Sequence, residues 1–184
     1  MEKLVITTAI QIQKPVTEVF ENICNPDKMT NYFISGSTGR MEAQAELIWE
    51  FPEYEGQFRV KVLEVLPGRL IQFEWDPETT VSIELAEQPD KSTVVKVTEG
   101  EKSSSPGNLK WYRENTEGWA NFLACLKAFS EYGINLRKGV SYRISDGKMD
   151  VSEYLDVSEA NGHITYTATV IGQNDGKGVE FRLI

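Results

Sequence analysis

The sequence predicts an α+β domain in which a curved antiparallel sheet wraps around one long C-terminal helix. Three observations predict it. Apolar and polar residues alternate at period two through several short segments between Leu4 and Thr98, the pattern of half-buried strands. Turn residues such as Pro67-Gly68 and Pro89-Asp90 separate those segments at hairpin distances. The period then changes, and Trp119, Phe122, Leu123, Leu126 and Phe129 fall on one stripe of an amphipathic helix. That stripe must be buried, and the inner face of the sheet is the one large apolar surface available to it.

Leu4, Ile6, Thr8, Ile10 and Ile12 share one face of a first strand. Pro15 ends it, because proline cannot donate to a ladder, and opens a helix carrying Val16, Val19, Phe20 and Ile23. Asn25-Pro26 breaks that helix, and a second short one carries Met29, Tyr32 and Phe33. A Gly/Ser/Thr-rich loop spans Ser35 to Met41. Leu47, Trp49 and Phe51 then face inward, and Pro52 to Gly56 reads as a turn. Phe58, Val60 and Val62 form the next inward face, followed by Ile71, Phe73 and Trp75, then by Val81, Ile83 and Leu85, then by Val95 and Val97. The polar stretch Gly100 to Asn108 reads as a loop. The long helix starts at Thr116 or as early as Leu109 and stops at Gly133.

Composition narrows the function classes. The net charge of -9 and the lack of a Lys/Arg cluster argue against nucleic-acid binding. No apolar run approaches the roughly 20 residues of a membrane span, and the N-terminus lacks the apolar block of a signal peptide. A cytoplasmic location is the expectation, with no membrane partner. Cys24 and Cys125 stand apart, outside any zinc-ligand spacing, and are expected as buried reduced thiols.

Several stretches together carry a family resemblance. They are Ile10 to Phe20, Asn25 to Met29, the proline hairpin and strand from Val65 to Trp75, the strand Ser92 to Glu99, and the Gly118-Trp119 segment of the long helix. In this order the chain resembles the activators of the ninety-kilodalton heat-shock protein ATPase (AHSA-type), within the START-like (SRPBCC) superfamily of helix-grip folds. The resemblance covers roughly residues 3 to 136. It departs near Ser35 to Ala45, where only Gly36, Gly39 and Arg40 stand in place of a Gly-Gly pair with basic residues. It implies a cavity between helix and sheet, and either a small apolar ligand or docking onto a chaperone.

No catalytic constellation is legible. The single histidine, His163, lies outside the matched region, so a His-dependent triad or a three-histidine metal site is not expected. No nucleotide-binding or nucleophile-elbow motif occurs, and no cofactor is expected. Glu46, Glu50, Glu74 and Glu84 alternate with apolar residues and read as a solvated face; no acid pair is placed on the inward faces. The aromatic residues are the candidate site: Phe33, Trp49, Phe58, Phe73, Trp75, Tyr112 and Trp119. Core packing accounts for many such rings. Indole and phenol groups also suit the wall of a cavity, because each wants a polar partner when buried.

Residues 1–138 are thus expected to form the helix-grip domain and 139–184 an extension. Asp150 to Ala160 reads as a short helix or loop, and Ile164 to Ile171 with Val179 to Ile184 as a β-hairpin. The leading expectation is a monomeric or homodimeric protein binding a small hydrophobic ligand. The alternatives are a co-chaperone-like module, which the resemblance alone implies, and a cyclase- or hydrolase-like enzyme of the same superfamily.

Overall fold

The computed structural model describes residues 3–137 apart from 53 and 77, without the side chain of residue 54, and the strand backbone at 142–145, 148–151, 155–160, 163–168 and 179–181. The chain divides into two units, Met1–Leu136 and Arg137–Ile184.

The first unit begins with β1 (Lys3–Ile12), α1 (Val16–Cys24) and α2 (Pro26–Met29). The strands β2 (Gly36–Ser37), β3 (Glu46–Phe51), β4 (Tyr54–Leu66), β5 (Leu70–Asp76), β6 (Thr79–Glu87) and β7 (Thr93–Ser103) follow. The last element is α3 (Pro106–Tyr132). The seven strands form one antiparallel sheet in the order β1-β7-β6-β5-β4-β3-β2. This is the helix-grip architecture expected.

Local chemistry sets the helix ends. Pro15 stands at the N-cap of α1, and Asn25 caps α2 by accepting from the Asp27 N–H. The start of α3 is earlier than the apolar stripe indicates. Ser105 Oγ accepts from the Asn108 N–H at 3.2 Å and Pro106 occupies the first turn, a combination that satisfies an orphan donor and presets φ. The exposed first turns of α3 carry no apolar stripe, which is why periodicity placed the start too late. Gly133 closes α3 with φ 66, a left-handed turn that glycine adopts without strain. Two further corrections concern strands. Gly100 to Ser103 continues β7 rather than forming a loop, and Gly36–Ser37 adds a short edge strand.

The core lies where sheet and α3 meet. Ile6, Ile12, Val62, Ile71, Phe73, Val81, Val95 and Val97 point inward from the strands, against Trp119, Phe122, Leu123 and Leu126 of α3. Burial of each such side chain contributes about 1.5–3 kcal/mol. Phe129, on the same stripe, is partly buried against them. The C-terminal half of α3 also closes the outer edge of β1: Lys127 Nζ donates to the Gln11 carbonyl at 2.7 Å, and the Gln13 N–H donates to Glu131 Oε1 at 2.6 Å. Edge groups left open would otherwise invite pairing with another chain. Cys24 and Cys125 are both free and buried, and burial pushes the Cys24 thiol up to about 12. Among the described residues no helix is long and apolar enough to cross a membrane.

The second unit contains β8 (Tyr142–Ser145), β9 (Lys148–Val151), β10 (Leu155–Ala160), β11 (His163–Ala168) and β12 (Val179–Phe181). β8 pairs with β9, while β10, β11 and β12 form a separate three-stranded sheet. β11 and β12 pair antiparallel, with Tyr166 opposite Phe181. Asp150, Val151 and Leu155–Ala160 are strand, not helix or loop. Their β-branched residues find a pairing partner, which outweighs local acidity. Residues 152–154 and the turn at 174–178 lie outside the described residues. His163 opens β11, opposite Ala160.

Candidate functional site

The inward alternation of β7 does not stop at Val97. Two residues further on, Glu99 takes the same face and is 0% exposed. Four donor side chains converge on its carboxylate. Oε1 accepts from Trp75 Nε1 at 3.0 Å and from Thr79 Oγ1 at 3.1 Å. Oε2 accepts from Trp119 Nε1 at 2.6 Å and from Asn115 Nδ2 at 3.1 Å. Trp75 ends β5 and Thr79 opens β6, where a register shift turns the hairpin. Asn115 and Trp119 sit one turn apart on α3, so both project toward the same strand. No Lys or Arg among the described residues forms an ion pair with Glu99.

A carboxylate offers about four acceptor positions, and here four side chains occupy them. Leaving such a group buried and unbonded would cost several kcal/mol. The arrangement therefore ties together β5, β6, β7 and α3 and holds two indole rings in fixed orientation. Gly100 permits this backbone path. Its φ is 157, and a Cβ there would lie 3.2 Å from the Cα of Val5. The β1–β7 register shifts at the same point.

From Trp75 and Trp119, whose ring centroids are 5.1 Å apart, a run of aromatic contacts extends inward. Phe73 lies 6.3 Å from Trp119 and 5.5 Å from Trp49. Phe122 lies 5.6 Å from Trp119 and 4.7 Å from Phe33, which in turn meets Trp49 edge-on at 6.5 Å. Structure thus brings together five of the expected residues: Phe33, Trp49, Phe73, Trp75 and Trp119. Tyr112 is half-buried against the core cluster on α3. Phe58 departs from expectation: it is 37% exposed, with its ring centroid 5.2 Å from that of Phe51. The end of β4 from Glu55 to Arg59 is exposed on both faces, because the β3–β4 hairpin runs beyond the area that α3 covers. Alternation alone cannot reveal where a partner surface ends.

Glu99, Thr79, Asn115 and Trp111 were missed in the sequence. The signal for Glu99 was its parity with Val95 and Val97, which places an acid on an inward position. Trp111 lies one turn before Asn115 on α3. Its Nε1 is shielded from solvent and has no acceptor among the described residues. Lys102 Nζ stands 4.9 Å from the centre of the Trp111 ring and bonds Asp76 at 2.8 Å and Glu78 at 3.1 Å. Burial acts to raise the Asp76 carboxyl, but the Lys102 hydrogen bond, the Glu78 N–H and the Lys102 charge outweigh it and hold Asp76 below the usual carboxylate range. Burial likewise acts to lower Lys102, and its two carboxylates more than offset this, leaving it raised.

The described surface also carries a groove of about 400 Å³, lined by Val16, Thr17, Phe20, Glu21, Arg40, Pro67 and Gly68. Arg40 holds Glu21 through two hydrogen bonds, of 2.9 and 2.5 Å. This groove lies on α1 and the β4–β5 turn, away from the aromatic cluster. Among the described residues no group of three His, Cys, Asp or Glu side chains is placed to hold a metal.

Known proteins match this chain in fold and in family. The family model described as Activator of Hsp90 ATPase homolog 1-like protein matches residues 13–131, more than half of the chain. The crystal structure of SSP2350 from Staphylococcus saprophyticus is similar at 29% identity and a TM-score of 0.65, covering 72% of this chain and 96% of that one. The Aha1 dimer from Colwellia psychrerythraea is similar at 18% identity and a TM-score of 0.61, covering 70% and 97%. DynU16, a putative protein of the dynemicin biosynthetic locus, is similar at 15% identity and a TM-score of 0.64, covering 98% and 81%. No curated protein matches the chain. The fold, the order of its motifs and the family match agree, and the chain belongs to the Activator of Hsp90 ATPase homolog 1-like family.

Proposed function

We propose that this protein binds a small apolar or aromatic molecule between α3 and the inner face of the sheet. The carrying observation is the Glu99 network. It holds the indoles of Trp75 and Trp119 as one wall of an aromatic enclosure, at the end where Trp75, Trp111 and Tyr112 are only half covered. A fully buried acid held by four donors and no cation is an uncommon choice for a core whose role is packing alone. A wall of oriented aromatic rings with few polar groups is what small-molecule sites commonly present. The rings touch one another, so the ligand enters by parting them at the half-covered end.

Native mass spectrometry and thermal unfolding with a panel of neutral aromatics and lipids test the proposal. A one-to-one adduct and a rise in Tm that grows with ligand concentration are expected. A panel that leaves both unchanged would contradict it. The second reading, docking onto a chaperone ATPase, is supported by the family description. A purified chaperone whose ATPase rate rises on addition of this chain, with no small molecule present, would favour it instead.

A further inference from the structure

Trp75 and Trp119 stand in the aromatic cluster, Trp111 packs against the core two helical turns before Trp119, and their N–H groups have different fates. Trp75 and Trp119 donate to Glu99. Trp111, on the same helical row as Asn115 and Trp119, keeps a solvent-shielded Nε1–H with no acceptor among the described residues. Glu99 cannot serve it, because four donors already occupy its oxygens. A shielded indole N–H without an acceptor is uncommon in a native structure and points to a partner that arrives from outside. The charges nearby select among partners. Asp76 and Glu78 share Lys102 beside the Trp111 ring, and Glu99 bonds Asn115 one turn away. Three carboxylates against one ammonium group disfavour an anion.

Resting on the proposed ligand site, we infer that the ligand is a neutral apolar molecule carrying a hydrogen-bond acceptor, and that Trp111 Nε1–H is the donor that reads it. The oxygen of a ketone, ester or ether meets the requirement. A free carboxylic acid, ionised at neutral pH, does not.

Three probes of one shape test this: 2-acetylnaphthalene, 2-isopropenylnaphthalene and 2-naphthoate, titrated calorimetrically into the full chain. One neutral hydrogen bond is worth about fivefold in affinity. The ketone is expected to bind roughly fivefold more tightly than the hydrocarbon, and naphthoate most weakly. In Trp111→Phe the ketone loses its advantage while the hydrocarbon binds as before. An indole N–H correlation spectrum of the unsubstituted chain supplies a readout independent of that variant's folding: the Trp111 signal moves downfield with the ketone and not with the hydrocarbon. Equal binding of ketone and hydrocarbon, tightest binding of naphthoate, or an unmoved Trp111 signal overturns the inference and leaves the ligand site standing. No binding by any of the three overturns both.

Discussion

At the scale of single residues, Glu99 decides more than any other side chain. Replacing it by glutamine keeps the shape, but whichever way the amide is turned its NH2 group faces an indole N–H that can only donate, Trp75 on one side or Trp119 on the other. Glu99→Gln is therefore expected to destabilise the fold by about 2 kcal/mol, read as a lowered urea midpoint, with an altered tryptophan emission from the released indoles. Unchanged stability and emission would mean that the network holds nothing. Cys24 makes a second residue-scale prediction. With its thiol pushed up to about 12 by burial, almost none is thiolate at pH 8, and the thiolate is the reactive form. Ellman's reagent is expected to leave Cys24 unlabelled in the native chain and to label it rapidly in urea. Titration gives a third. Asp76 and Glu131 both sit below the usual carboxylate range. Burial acts to raise each, but Lys102 and the Glu78 N–H outweigh it at Asp76, and the Gln13 N–H and Lys127 outweigh it at Glu131. Groups depressed on folding stabilise the native state above their unfolded values, about 4, and lose that contribution as pH falls through the folded ones. Stability measured by denaturant is expected to decline below about pH 4, and the decline is shallower in Asp76→Asn with Glu131→Gln.

At the scale of elements, the sequence announces what alternation and turns can announce. The inward faces Leu47-Trp49-Phe51, Ile71-Phe73 and Val81-Ile83-Leu85 are all buried, because period two is imposed by the pleat itself. Three features escaped it. The first turns of α3 are held by the Ser105 cap rather than by an apolar stripe, so a hydrophobic period could not locate them. Phe58 obeys the alternation of β4, but its hairpin outruns the helix that would bury it. Glu99 obeys the alternation of β7, yet its charge makes an outward position seem the natural one until its four donors are seen. These donors come from residues 75, 79, 115 and 119, and no local pattern ties them together. The cap also carries a prediction. Ser105→Ala is expected to lower stability by about 1 kcal/mol and to increase amide exchange in the first turn of α3, while leaving the Glu99 network in place.

At the scale of the whole molecule, the seven-stranded sheet and α3 form one unit that ends at Leu136, and residues from Arg137 onward form another. The family match falls inside the first, and the aromatic cluster and the α1 groove are both built from it. Ligand is proposed to enter the aromatic cluster and not the groove. Intermolecular nuclear Overhauser effects from a naphthalene probe bound to the full chain test it most directly. Effects to the ring protons of Phe73, Trp75, Trp119 and Phe122 are expected. Effects confined to Val16, Phe20 and Pro67 would contradict it.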